Sequence, residues 1–257
     1  MMKKLDFPSL VNALKPVVEA KEFILHSGYR DIHEFYDEFW QNVKDTWEGC
    51  FEEKTIFIRG TGVSALSRIS ILLLQLASTF GEPIPRYLRK IRERFPIRDW
   101  RSGSGRFAII RGGGAGAKIV DEIFIELLDT SLIDEHAETQ IRAVDASLCD
   151  KVKLLLRPSN WKPFVRDFVR QETPKKGVYL LVILDRNLST RLRAGSSKNL
   201  VQRLNEHFQN SDRPIFFASK PTQQYEKAEC ALYHLIPQGI RIGNHPPRRE
   251  RWCNILH

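Results

Sequence analysis

One acid in a basic stretch is the first candidate for chemistry. Tyr225, Glu229, Leu232 and Ile236 fall on one stripe of an expected helix, so Glu229 borders a core. A carboxylate placed there needs a basic partner or a metal ion. Upstream, Leu200, Leu204 and Phe208 recur every four residues and should face a sheet, with Asn199, Arg203 and His207 on the adjacent stripe. An arginine at the rim of an apolar face is well placed to grip a phosphate with two parallel bonds. Phosphodiester hydrolysis asks for such a set: a divalent ion on the phosphate, a base for water and a cation for developing charge. Each residue also has a plainer reading. Arg203 could pair with Glu206 or Asp212, Glu229 with Lys227 or Arg203, and Tyr179 could be a core aromatic. His234 and His245 have no recognisable ligand spacing. Cys50, Cys149, Cys230 and Cys253 form no CxxC pair, which argues against a thiolate zinc site and a disulfide scaffold.

Short elements of mixed type must position these side chains. Residues 177–184 are almost continuously apolar and predict a central strand covered on both faces. Polar residues 185–190 predict a turn, 191–195 a returning antiparallel strand, and 215–218 a third strand. Helices are expected over 199–209 and 223–236, before a tail at 244–254 rich in proline and arginine. Thr173-Pro174-Lys175-Lys176 reads as the seam, dividing the chain into domains 1–172 and 173–257.

The earlier part reads as mainly helical. Helices are expected over 9–26, 31–48, 64–78, 83–95, 119–128, 134–156 and 160–171, with possible short strands at 55–58 and 107–110. The run from Gly112 to Lys118 approaches a phosphate-binding loop but has Ala117 and Ile119 where that pattern needs glycine and a hydroxyl. A tight turn is the plainer reading, and an anion- or nucleotide-binding loop the other. The longest strongly apolar run, 69–80, is shorter than the roughly 20 residues of a membrane span. The first residues lack the apolar core of a secretory signal, so the chain is expected to be cytoplasmic.

Charge singles out the last third. The 257 residues carry a net +9, of which residues 174–257 hold +8, with 14 Lys/Arg against 6 Asp/Glu. A small domain this basic suits a polyanion, nucleic acid first. With 42% hydrophobic and 28% charged residues, the whole chain is neither disordered nor collagen-like.

The order Gly177-Val178-Tyr179, Arg193-Ala194-Gly195, Ser196-Ser197-Lys198-Asn199-Leu200, Arg203-Leu204, His207, Glu229 and Asn244 resembles the GIY-YIG nuclease family over about 80 residues. The resemblance implies a three-stranded antiparallel sheet flanked by helices, in a chain that is α+β overall. It implies that Tyr179 helps activate the nucleophile, Arg203 contacts the phosphate and Glu229 binds Mg²⁺ or Mn²⁺. Arg193, Ser196, Lys198, Asn199, His207 and Asn244 are the expected nucleic-acid contacts, Asn244 also supporting the site. Arg193 stands where the family has its second tyrosine; arginine does not deprotonate and cannot copy a phenol acting on water. Residues about 55–130 resemble the later half of DGQHR-domain proteins, associated with DNA modification and defence, through the run from Thr55 to Leu66 and the run from Gly112 to Lys118. The Asp-Gly-Gln-His-Arg signature is absent, so no residue role carries over. The expected function is a metal-dependent DNA endonuclease in defence or DNA processing. The alternative is a DNA-binding regulator with weakened catalysis.

Overall fold

A computed structural model describes residues 7–52, 54–112, 114–128, 131–209, 213–245 and 253, with only the backbone of Val144. The protein is α+β and divides into two compact units, Met1–Leu127 and Leu128–His257.

The first unit is helical: α1 Phe7–Glu19, α2 Lys21–His26, α3 Ile32–Thr46, α4 Gly60–Phe80, α5 Ile84–Arg94 and α6 Ala115–Leu127. Asp31 starts α3 by accepting a hydrogen bond from Glu34 N at 2.8 Å. α4 has 21 residues and contains an 18-residue stretch of mean hydropathy 1.5, long and apolar enough to cross a membrane by those measures. The apolar run at 69–80 is thus only its second half. Residues from Ala65 to Leu76 are largely buried, and α4 packs on α1, α5 and α6 as a core helix.

Two expected strands are absent here. Residues 56–59 are turns and bends because Phe57 is drawn into an aromatic cluster, stacked on Trp100 at 4.4 Å and tilted on Trp47 at 5.4 Å. Residues 106–109 form a single 3₁₀ turn that buries Phe107 against Trp100 and Phe95. Gly112 and Gly114 lead into α6, while Gly113 lies outside the described residues.

The second unit contains α7 Glu135–Lys153, β1 Lys162–Pro163, α8 Arg166–Glu172, β2 Gly177–Leu184, β3 Thr190–Ser197, α9 Leu200–His207, β4 Phe216–Pro221 and α10 Tyr225–Leu235. The sheet is antiparallel in the order β1-β4-β2-β3. Among the described residues it therefore has four strands where three were expected, the extra one being the two-residue edge strand β1. β2 is central and buried at all but one position, as its apolar run requires. Gly177 begins it where a β-carbon would lie 2.0 Å from Lys220 O of β4, so only glycine fits that close pairing. The unit begins at Leu128 rather than Thr173. The cause is tertiary: α7 packs along α10, β1 pairs with β4, and Asp134 N donates to Leu235 O at 2.8 Å. The unit carries 21 Lys/Arg against 14 Asp/Glu, so it keeps most of the positive excess.

Candidate nucleic-acid cleavage site

Tyr179 sits opposite Gly195 in the β2–β3 register and is 2% exposed. Its ring lies over the glycine: a β-carbon there would come 2.2 Å from Tyr179 Cζ. The triplet Arg193-Ala194-Gly195 thus has a packing reason for its glycine. The Tyr179 hydroxyl is 2.9 Å from His207 Nε2, at the end of α9. His207 is 3% exposed. It therefore does not lie on the helix surface: its ring is buried edge-on against Tyr179, with centroids 5.7 Å apart.

Glu229 projects from α10 and accepts a hydrogen bond from Ser196 Oγ of β3 at 2.6 Å. Burial pushes the Glu229 carboxyl above its ordinary value; the Ser196 bond and the Arg203 charge oppose that, while Glu226 adds to it. Burial also pushes the Tyr179 phenol up, with Arg203 opposing by charge and hydrogen bond, and Arg193 by charge. Glu229 raises Tyr179 further. Tyr179, Arg203 and Glu229 therefore form one electrostatic cluster, bordered by Ser196, His207 and Arg193.

Arg203 pairs with Glu206 at 2.6 Å, the simpler of the pairings its spacing allowed, and both side chains are 47% exposed. Glu206, then Tyr179, hold the guanidinium above its ordinary value. A pair this exposed contributes about 0–1 kcal/mol, so an arriving phosphate can displace Glu206 at small cost. Asp212 lies outside the described residues.

The remaining expected contacts lie around the cluster. Arg193 is half-buried on β3 and runs beside Gly243. Lys198 and Asn199 are exposed at the β3–α9 junction. Asn199 also caps α9, its Oδ1 accepting from Gln202 N at 3.2 Å. Asn244 is exposed beyond a short segment that flanks β3, where Leu192 N donates to Ile240 O at 2.8 Å and Ile242 N to Leu192 O at 2.9 Å. Residues 246–252 and 254–257 of the basic tail lie outside the described residues.

A second group was not expected. Cys230, His234, His245 and Cys253 converge so that one ligand atom from each lies within 4.8 Å of the others. Two cysteines without a CxxC spacing are thus brought together, and with them His234 and His245, whose sequence spacing carried no ligand pattern. Cys230 and His234 are one turn apart on α10, a spacing legible in the sequence as two donors on one helix face. His245 and Cys253 are brought in only by the fold.

Compared with protein-family models, curated proteins and solved structures, the chain matches none.

Proposed function

We propose that residues 128–257 form a metal-dependent endonuclease that hydrolyses phosphodiester bonds in DNA. One observation carries the reading: a half-buried carboxylate (Glu229), a buried phenol (Tyr179) and a guanidinium (Arg203) share one electrostatic environment within a basic unit. Charge alone would suit any polyanion, but a half-buried acid inside a basic cluster is the extra part that cleavage needs. The strands β4-β2-β3, with α9 and α10, fit the arrangement implied by the resemblance to GIY-YIG nucleases. The helical unit is an accessory module in this reading.

Glu229 suits a hard divalent cation. Its carboxylate is half-buried, its ionised form is short of compensation, and Mg²⁺ is commonly held by one or two carboxylates together with substrate phosphate. Bound there, Mg²⁺ or Mn²⁺ would neutralise phosphate charge and acidify water. The chain's own groups do the rest. Ser196 orients the carboxylate. Arg203 leaves Glu206 and takes a non-bridging phosphate oxygen, stabilising charge that grows during displacement. Tyr179 is kept protonated by burial, so it acts as a relay. As its oxygen accepts a proton from the attacking water, its own proton passes to His207 Nε2, 2.9 Å away. Arg193 holds the phosphate backbone beside this relay.

The second reading is a DNA-binding regulator with weakened catalysis, and Arg193 in place of a second phenol is what favours it. Supercoiled plasmid incubated with and without Mg²⁺ separates the two. Mg²⁺-dependent nicking is expected. Tight DNA binding without nicking would select the regulator.

A further inference from the structure

We infer that Cys230, His234, His245 and Cys253 bind a structural zinc ion. The inference does not rest on the nuclease reading.

The geometry resists explanation by hydrogen bonds alone. His234 Nε2 lies 3.1 Å from His245 Nε2 and 3.0 Å from Cys253 Sγ, and His245 Nε2 lies 3.4 Å from Cys230 Sγ. A ring nitrogen offers one proton or one lone pair, not both. Here His234 Nε2 faces two heteroatoms at once, and so does His245 Nε2. One cation in the middle satisfies all four donors together. The edges of a tetrahedron built on ordinary zinc–nitrogen and zinc–sulfur bonds are about 3.3 Å between nitrogens and about 3.6 Å from nitrogen to sulfur. The three short separations, 3.0, 3.1 and 3.4 Å, lie slightly below these edges, and all four ligand atoms lie within 4.8 Å of one another.

The donor set selects the metal class. Two thiolates and two imidazoles in a closed tetrahedral arrangement favour zinc over the hard, oxygen-seeking ions suited to Glu229. Four protein ligands leave no open position, so the ion's role is structural. Loading is balanced: the Cys230 and Cys253 thiols release their protons to solvent, and the neutral imidazoles donate lone pairs without losing any.

The surroundings hold the ligands in place. Cys230 and His234 are buried on the inner face of α10. Tyr233 presents its ring nearly perpendicular to His234 and His245, with centroids 5.5 and 5.1 Å away. Arg241 covers that tyrosine at 4.2 Å and donates to its carbonyl at 3.1 Å. The ion would therefore fasten the chain after α10 to that helix, while Ile240 and Ile242 tie the same stretch to β3.

The test is the metal content of the full chain, purified under reducing conditions without chelator. About one zinc per chain is expected, and Co²⁺ substitution should give the intense visible bands of a tetrahedral thiolate site. Removing zinc from the wild type with a strong chelator should lower Tm, and adding zinc back should restore it. Cys253→Ser and His245→Ala should each lower zinc affinity at least about tenfold. Glu229→Gln should keep its zinc whether or not it cuts DNA, which separates this site from the proposed catalytic one. Zinc-free protein with a Tm indifferent to added zinc would overturn the inference. So would a Cys230–Cys253 disulfide in the freshly isolated chain, found by mass spectrometry without reductant.

Discussion

Ser196 Oγ on β3 donates to Glu229 Oε2 on α10 at 2.6 Å, the direct link between the strand that carries Gly195 and the helix that carries the acid. The bond favours the ionised carboxylate against burial, which disfavours it. Ser196→Ala should therefore raise the Glu229 carboxyl further and move the acid limb of a cleavage pH profile to higher pH. A limb that stays put would mean that Glu229 does not govern it.

The same balance predicts a stability effect with a definite sign. Glu229 is raised above its ordinary value, so its favourable contribution is present at acidic pH and is lost as pH rises through the raised value. Without divalent ions, Glu229→Gln should melt at a higher temperature than wild type at neutral pH, and the difference should shrink on acidification. Equal Tm across that range would contradict a desolvation penalty on the Glu229 carboxylate.

His207 and Arg203 share α9 but should fail differently. His207→Phe leaves a buried Tyr179 hydroxyl without its imidazole, costing about 1–3 kcal/mol. Loss of the relay should slow cleavage by about 10²–10⁴ with DNA affinity unchanged. Arg203→Ala should weaken both, and flatten the slope of log affinity against log salt by about 0.9, the signature of one lost phosphate contact. Filter binding over a salt series, alongside a cleavage assay, checks both variants.

Gly195→Ala drives a methyl group into the Tyr179 ring and should cost about 1–3 kcal/mol. Combined with Tyr179→Ala, the penalty should be smaller than the sum, because the ring that clashes is gone. Additive losses in denaturant melts would place the strain elsewhere.

Much of the second unit was legible because its signals are local. The apolar run of β2 and the four-residue stripes of α9 and α10 put Tyr179, Arg203 and Glu229 on the right elements. What was missed depends on tertiary partners. The periodicity of α7 is the same whether it packs on the first unit or on α10, so the seam was set too late. Thr55 to Ile58 has the composition of a strand, but the pull of Trp47 and Trp100 on Phe57 decides its shape. His207 carried no mark of burial, since its contact is with a strand 28 residues earlier. His245 reaches Cys230 and His234 through the chain's return along β3, and Cys253 joins them across a distance in sequence that no local pattern marks.

The central claim is that Glu229 serves chemistry rather than folding or DNA affinity. Its most direct test is single-turnover cleavage of bound duplex DNA by wild type and Glu229→Gln, started by adding Mg²⁺. Omitting Mg²⁺ is the control, since a strong chelator would also draw on the Cys/His cluster. The account predicts Mg²⁺-dependent cutting by wild type, and a loss of about 10²-fold or more in Glu229→Gln with DNA bound equally or more tightly. Equal rates for the two proteins, or no Mg²⁺-dependent cutting by either, would contradict it.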